Sequence, residues 1–354
     1  GETDVGSVLV IEDADDEDAR RRFKMILKVR PYNLHFAFSA DGINWPTRSK
    51  PLVGLEGVDP SGLARWQGAY ILAAHRGRPY GRRKLHTFMS YDFVSWTEAS
   101  GLWARSSESP PGAQDNNAGE QVHLGAALWP RWPTLLGFYG QWHGHPSNDR
   151  SLVSIDLGLV VSSDGLNFKE PLPSFRLVAA AEDGCDASWS SELPSLVPAI
   201  VQGQAFANVG NQTLFWYGAW PEQRSTGVRL AVWPRDRLGA WKCSKCGSCH
   251  AISARMQAPA SSIEVQVNVA GLLPGSSSLK IEVLDSRLQP VKGMSGTDAA
   301  VVDKDGLEVV ASFPPHALQS DFRLRVGFTG VLCGNARLYA LYVKASSCCD
   351  SRAL

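Results

Sequence analysis

The sequence has 354 residues, room for about two domains. Hydrophobic residues make up 44% and charged residues 20%, with Lys+Arg and Asp+Glu equal at 35 each, which excludes nucleic-acid binding driven by bulk charge. The longest apolar runs, such as LGLVV at 157–161, fall far short of the roughly 18 residues a helical membrane span needs, and 12 Trp, 33 Gly and 21 Pro point to a turn-rich chain with many aromatic anchors.

Taken in chain order, one pattern recurs four times. The runs FKMILKV (23–29) and LHFAF (34–38) lead into SADGINW (39–45). AYILAAH (69–75) and LHTFM (85–89) lead into SYDFVSW (90–96), and TLLGFYG (134–140) and LGLVV into SSDGLNF (162–168). TLFWYGAW (213–220) and VRLAV (228–232) lead into PRDRLGAW (234–241). Each unit reads as strand, strand, a turn at Asp41, Asp92, Asp164 or Asp236, and an aromatic residue that re-enters a packed layer. Such a long repeat fits the antiparallel blade of a β-propeller better than a sandwich, whose turn signals come every 8–12 residues or so. Helical periodicity is poor throughout.

Past residue 255 the texture changes to five alternating runs: SIEVQVNVAG, SLKIEVLDS, LEVVASF, FRLRVGFTG and ARLYALYV. These describe a small β-sandwich. The expectation is an all-β protein with a propeller over 1–250 and a sandwich over 255–347, joined by KCSKCGSCHAISARMQAP, which has no period.

RRFKM, the Ser-x-Asp-Gly-x-x-Trp phrases and KIEVLDSRLQPVKGMS, in this order, resemble the five-bladed propeller glycoside hydrolases related to families 32, 43, 68 and 130, often followed by a β-sandwich. The resemblance spans nearly the whole chain, and its phrases are structural rather than catalytic. It implies five blades where four are counted, so that an N-terminal blade would be lacking, and an active site built from carboxylates near the start of innermost strands. By that likeness Glu120 in NNAGEQVHLG is the candidate general acid, with His123 in its hydrogen-bond network. Asp59 in GVDPSGLARW is the candidate orienting carboxylate, and Asp4 in ETDVGS a first-blade candidate. The plain alternatives are a loop carboxylate for Glu120 and an Asp-Pro turn for Asp59. Two-carboxylate hydrolysis requires no metal or other cofactor, and the expected partner is an oligo- or polysaccharide. A non-catalytic carbohydrate-binding propeller is the alternative function.

The segment YGQWHGHPSNDRSLVSID (139–156) reads as a loop at the mouth of the site, with Trp142 stacking a sugar face and His143 contacting hydroxyls. His143 and His145 could form half of a metal site, but spacing places no third ligand. Arg76, Arg78, Arg82, Arg83 and Lys84 form a solvated basic loop or, more pointedly, a reader of acidic or sulfated sugars. The acidic run EDADDED (12–18) lacks the glycine and glutamate of a calcium loop and reads as a solvated turn. Cys246, Cys249 and His250 match a haem-attachment phrase and, with Cys243, a tight zinc knot, but the surroundings are β-rich and the spacing is tight, so disulfides of a secreted chain are the leading reading and free thiols the alternative. The chain begins at Gly1, so a mature form or a fragment is expected; the compartment stays open, with a secreted or extracytoplasmic one slightly favoured.

Overall fold

The computed structural model describes residues 5–29, 33–46, 48–76, 83–103, 117–182, 199–219, 228–245, 249–258, 263–314, 318 and 321–345, with the backbone alone at 76, 99–103 and 345. Among them every extended element is a β-strand, and the helical residues are confined to short 3-10 turns. The chain divides into two compact units, one of residues 1–206 and 215–231, the other of 207–214 and 232–354.

The first unit is built from consecutive antiparallel meanders, the blades of a β-propeller. The first blade comprises β1 (Val5–Glu12), β2 (Phe23–Val29) and β3 (Asn33–Ser39). The second comprises β4 (Val58–Trp66), β5 (Ala69–Arg76), β6 (Leu85–Ser90) and β7 (Thr97–Trp103). The third holds β8 (Gly119–Arg131), β9 (Thr134–Gly144), β10 (Ser154–Ser162) and β11 (Arg176–Val178). A fourth sheet pairs β12 (Ile200–Val209), β13 (Gln212–Ala219) and β14 (Val228–Pro234). The leading strand β4 packs on both β1 and β8, so successive blades meet through their first strands. Leu9, Ile26 and Leu34 close against Val58, Tyr70, Phe88 and Phe93, while Trp66 and Ile71 close against Val122, Leu128 and Tyr139.

The repeated phrase has a physical basis in three of its copies. Asp41, Asp92 and Asp164 each turn a carboxylate oxygen back onto the amides two and three residues on, at 2.7–2.9 Å. The serine two residues before each aspartate donates to the same oxygen at 2.9 Å. The fourth copy departs from this. Pro234 stands where the others carry serine, and Asp236 instead accepts from Asn208 at 3.0 Å and Tyr342 at 2.6 Å. The acidic run is likewise not a solvated turn throughout. Asp13 is buried and meets the Lys24 ammonium at 3.0 Å together with Arg65 and Tyr70, and Asp16 meets the same ammonium at 2.7 Å.

The second unit is a β-sandwich. One sheet has the order β15 (His250–Ile252), β20 (Phe322–Gly330), β17 (Ser277–Asp285), β18 (Ala300–Val302). The other runs β19 (Gly306–Ala311), β16 (Ile263–Ala270), β21 (Arg337–Ala345). Alternate residues such as Val265, Val267, Ile281, Leu324 and Val326 fill the space between them. Cys243 and Cys249 form a disulfide, in line with the disulfide reading, and Cys246, on which the haem and zinc readings turn, lies outside the described residues.

Candidate active site

The site begins with the way β4 lies on β8. A Cβ added at Gly62 would fall 2.0 Å from the Ala126 carbonyl oxygen, and one at Gly125 would fall 2.4 Å from Ser61 Oγ. Residues 61 and 62 thus face 125 to 128 in ascending order on both strands, so β4 and β8 run in the same direction at backbone contact. Asp59 and Glu120 are the second residues of these two strands and therefore open on the same end of the blades. Asp59 is part of the ladder, opposite His75, and the chain irregularity falls between Pro60 and Gly62; the Asp-Pro turn is replaced by a strand. On β8 the pairing shifts between His123 and Ala126, where Leu124 and Gly125 take φ of +61° and +85°.

Glu120 is directly opposite His143 on β9, and the imidazole Nδ1 is 2.9 and 3.0 Å from its two carboxylate oxygens. The other ring nitrogen, Nε2, is 3.0 Å from Asp156 Oδ2 on β10. Asp156 is fixed in turn, accepting from the Ala180 amide at 2.7 Å and forming an ion pair with Arg176, whose Nε lies 3.0 Å from Oδ2. Burial raises the Asp156 carboxyl, but His143, the Ala180 amide and Arg176 outweigh it and hold it below the usual carboxylate range. A neutral ring donates to one carboxylate only, and the imidazolium to both. The ring of His143 thus bridges the two carboxylates, Glu120 through Nδ1 and Asp156 through Nε2. The Glu120 side chain keeps 42% of its surface exposed, against 8% for Asp156, so it is the end of the chain that reaches solvent.

Asp59 sits across a blade boundary from Lys28 of β2, with the ammonium in direct contact with its carboxylate, and His75 Nε2 lies 3.5 Å from its second oxygen. Burial, with Arg83, Lys28 and His86 nearby, pushes His75 down to about 3, so the ring is neutral. Lys28 and His75 were not singled out by sequence reading, nor was Arg176. The one signal for Lys28 is that Lys24 and Lys28 flank Ile26 on one face of β2, where a buried face should be apolar.

Trp142 requires a correction. It is fully buried, its indole Nε1 donates to the Asn117 carbonyl at 2.8 Å, His123 stacks at 5.7 Å between centroids, and the Arg83 guanidinium lies 4.0 Å from the ring centroid. It therefore supports the site from beneath and offers no face to a sugar. His123 is also buried; burial, then Arg83, His75 and Arg150, lower it well below the usual histidine value. The imidazole at Glu120 is thus His143, because in an antiparallel ladder the residue opposite comes closer than one three positions along the same strand. Asp4 lies outside the described residues, and Arg76 ends β5 with its side chain outside them; Arg78 and Arg82 also lie outside. Among the described residues no three His, Cys, Asp or Glu side chains are grouped to hold a metal ion, and His145 bonds Ser147 at 2.5 Å.

No family model and no curated protein matches the chain. Solved structures similar to it are glycoside hydrolases at low identity. A Bombyx mori GH32 β-fructofuranosidase variant in complex with sucrose is 9% identical over 90% of this chain and 88% of that one, at a TM-score of 0.38. A glycosyl hydrolase from Bacteroides ovatus is 13% identical over 59% of this chain and 62% of that one, at 0.37. A GH130 protein, described as belonging to a family of mannoside phosphorylases that contains hydrolases of β-1,2 mannosidic linkages in Candida mannan, is 13% identical over the same shares, at 0.36.

Proposed function

We propose that the protein cleaves a glycosidic bond by a two-carboxylate mechanism at the strand ends that carry Glu120 and Asp59. The observation that carries the reading is the hydrogen-bonded row Glu120, His143, Asp156, which ends in a solvent-reaching carboxyl backed by an imidazole. In this mechanism Glu120 gives its proton to the glycosidic oxygen as the C–O bond breaks, and the electron pair leaves with that oxygen. His143 returns a proton to Glu120 along the Nδ1 contact, while Asp156 keeps the ring oriented through Nε2. Asp59, charge-compensated by Lys28, faces the positive charge that develops on the sugar ring. Asp4 is the carboxylate the family resemblance supplies for activating water: it takes one proton as the hydroxyl joins the anomeric carbon, and it then loses that proton to solvent while His143 regains one from solvent, which closes the cycle.

The test is hydrolysis of an oligosaccharide panel by wild type and Glu120→Gln. The substitution keeps shape and a hydrogen-bonding amide but cannot donate the proton, so turnover should fall by about 10² to 10⁴-fold with glycan binding retained. Unchanged turnover removes Glu120 from the chemistry. Binding without hydrolysis by the wild type turns the assignment into a carbohydrate-binding propeller.

A further inference from the structure

The Glu120 row does not end at Asp156. Oδ2 of that carboxylate meets His143 Nε2 and Arg176 Nε, both at 3.0 Å, so the guanidinium is one carboxylate away from the imidazole that contacts Glu120. Glu120, His143, Asp156 and Arg176 stand on β8, β9, β10 and β11, four neighbouring strands of one sheet. At about 4.8 Å between strands, three spacings put β11 about 14 Å from β8, further than one sugar ring reaches. The row meets solvent at both ends, through the exposed side chains of Glu120 and Arg176, while Asp156 between them is buried. The segment leading into Arg176 is held to the same sheet. Gln141, opposite Asp156 on β9, donates through Nε2 to the Phe175 carbonyl at 3.0 Å, and Glu170 Oε2 accepts from the Ser174 amide at 3.1 Å. The Phe175 amide closes a turn onto the Leu172 carbonyl at 3.2 Å, and Pro171 and Pro173 stiffen it further. Leu172 and Phe175 nevertheless stay 60% and 45% exposed, a fixed apolar display beside a charged row. Arg176 turns Nε to Asp156, and among the described residues its two Nη groups donate no hydrogen bond. Since Asp156 already compensates the guanidinium charge, these donors suit neutral oxygen acceptors rather than a further anion. A patch of two apolar side chains and one guanidinium is far smaller than the roughly 800 Å² a protein partner covers, and its ring and planar donors match the apolar face and the hydroxyls of a single sugar unit.

We propose that residues 172–176 form a second sugar subsite at the outer end of the Glu120 row, where the Arg176 Nη groups donate to hydroxyl oxygens of a neutral glycan unit and Phe175 lies against its ring. This rests on reading the Glu120 site as a carbohydrate site, and it makes the preferred ligand an oligosaccharide rather than a monosaccharide. The test is a glycan array carrying monosaccharides, disaccharides and longer neutral oligosaccharides of the same sugar, probed with wild type, Phe175→Ala and Arg176→Lys. For each protein, retention of the longest member is divided by retention of the monosaccharide, so that any disturbance of the Glu120 end cancels. Wild type should hold the longest member of at least one series about tenfold more tightly than the monosaccharide. Phe175→Ala removes the ring and leaves the Arg176–Asp156 pair in place; Arg176→Lys keeps a cation for Asp156 but not the fork, and in both the ratio should fall towards one. A wild-type ratio near one in every series, or either variant keeping the full ratio, overturns the proposal, and the wild-type comparison serves alone if a variant does not fold. Hydrolysis is scored separately: long glycans held through Phe175 and Arg176 but never cleaved leave the subsite standing and remove the hydrolase reading, whereas Glu120-dependent cleavage with the ratio unchanged in the variants does the reverse. Retention of no glycan of any length overturns the subsite and the carbohydrate reading together.

Discussion

Replacing Asp156 with Asn tests the interior end of the Glu120 row. The Asn oxygen can still accept from the Ala180 amide, but its amino group cannot accept from His143 Nε2 or Arg176 Nε, which both meet Oδ2 at 3.0 Å. Hydrogen bonds to a charged group contribute about 1.5–3 kcal/mol each, and breaking a well-buried pair costs about 3–5 kcal/mol. Arg176 is 56% exposed and its share is screened, so the loss is set mainly by His143, at about 2–3 kcal/mol. For a unit of this size that is a drop of roughly 5–10 °C in the propeller transition, read by calorimetry with the sandwich transition as internal reference. The acid limb is a second readout. The Asp156 carboxyl is held below its ordinary value in the folded state, so its stabilisation is complete above about 4 and is lost as the pH falls through the lower folded value. The Asn variant should be less stable at neutral pH and should lose part of the wild-type acid destabilisation. A change under about 0.5 kcal/mol, with the acid limb unaltered, would refute the claim that Asp156 anchors the ring.

Two further substitutions probe the blades. Gly62→Ala should cost more than about 3 kcal/mol, because the added methyl would meet the Ala126 carbonyl oxygen at 2.0 Å and force β4 off β8, whereas Gly239→Ala, with nothing within 4 Å, should be neutral or slightly stabilising; chemical denaturation of both separates a packing constraint from a general glycine effect. Phe93 holds a φ of +66° where the first and third turns carry Gly42 and Gly165, and its ring is buried against Phe38, Tyr70 and Trp96. Phe93→Gly relieves about 1–2 kcal/mol of backbone strain but forfeits about 3–5 kcal/mol of packing, so thermal melts should show a net loss near 2–3 kcal/mol, and a gain in stability would mean the strain was the larger quantity.

Much of the strand inventory was legible in the sequence because strands and Asp turns are local. The run FKMILKV is a strand wherever it is placed, and Ser-x-Asp-Gly closes its turn with its own hydroxyl and carboxylate. The fourth phrase shows the limit of that reading. Without the serine, Asp236 takes partners as far away as Tyr342, and nothing in the heptapeptide foretells it. For the site, sequence reading reached Glu120, Asp59 and His143 as candidates but assigned Trp142 the wrong face and passed over Lys28, His75 and Arg176. The acidic run and β2 explain one another only after folding. The buried side of β2 is Lys24, Ile26 and Lys28, while Phe23, Met25 and Leu27 take the less buried side, the reverse of what hydrophobicity alone would choose. Lys24 is buried because Asp13 and Asp16 come over it, and Lys28 because Asp59 arrives from the next blade.

What the sequence by itself determined is therefore the β-strand periodicity, three of the four Asp turns and the change of texture at the sandwich, all fixed by interactions among residues a few positions apart. Only the tertiary structure decided which carboxylate meets which cation. Those pairings join residues on different strands, such as Lys28 with Asp59 and His143 with Glu120 and Asp156, and their geometry depends on strand register and on the close approach at Gly62 and Gly125.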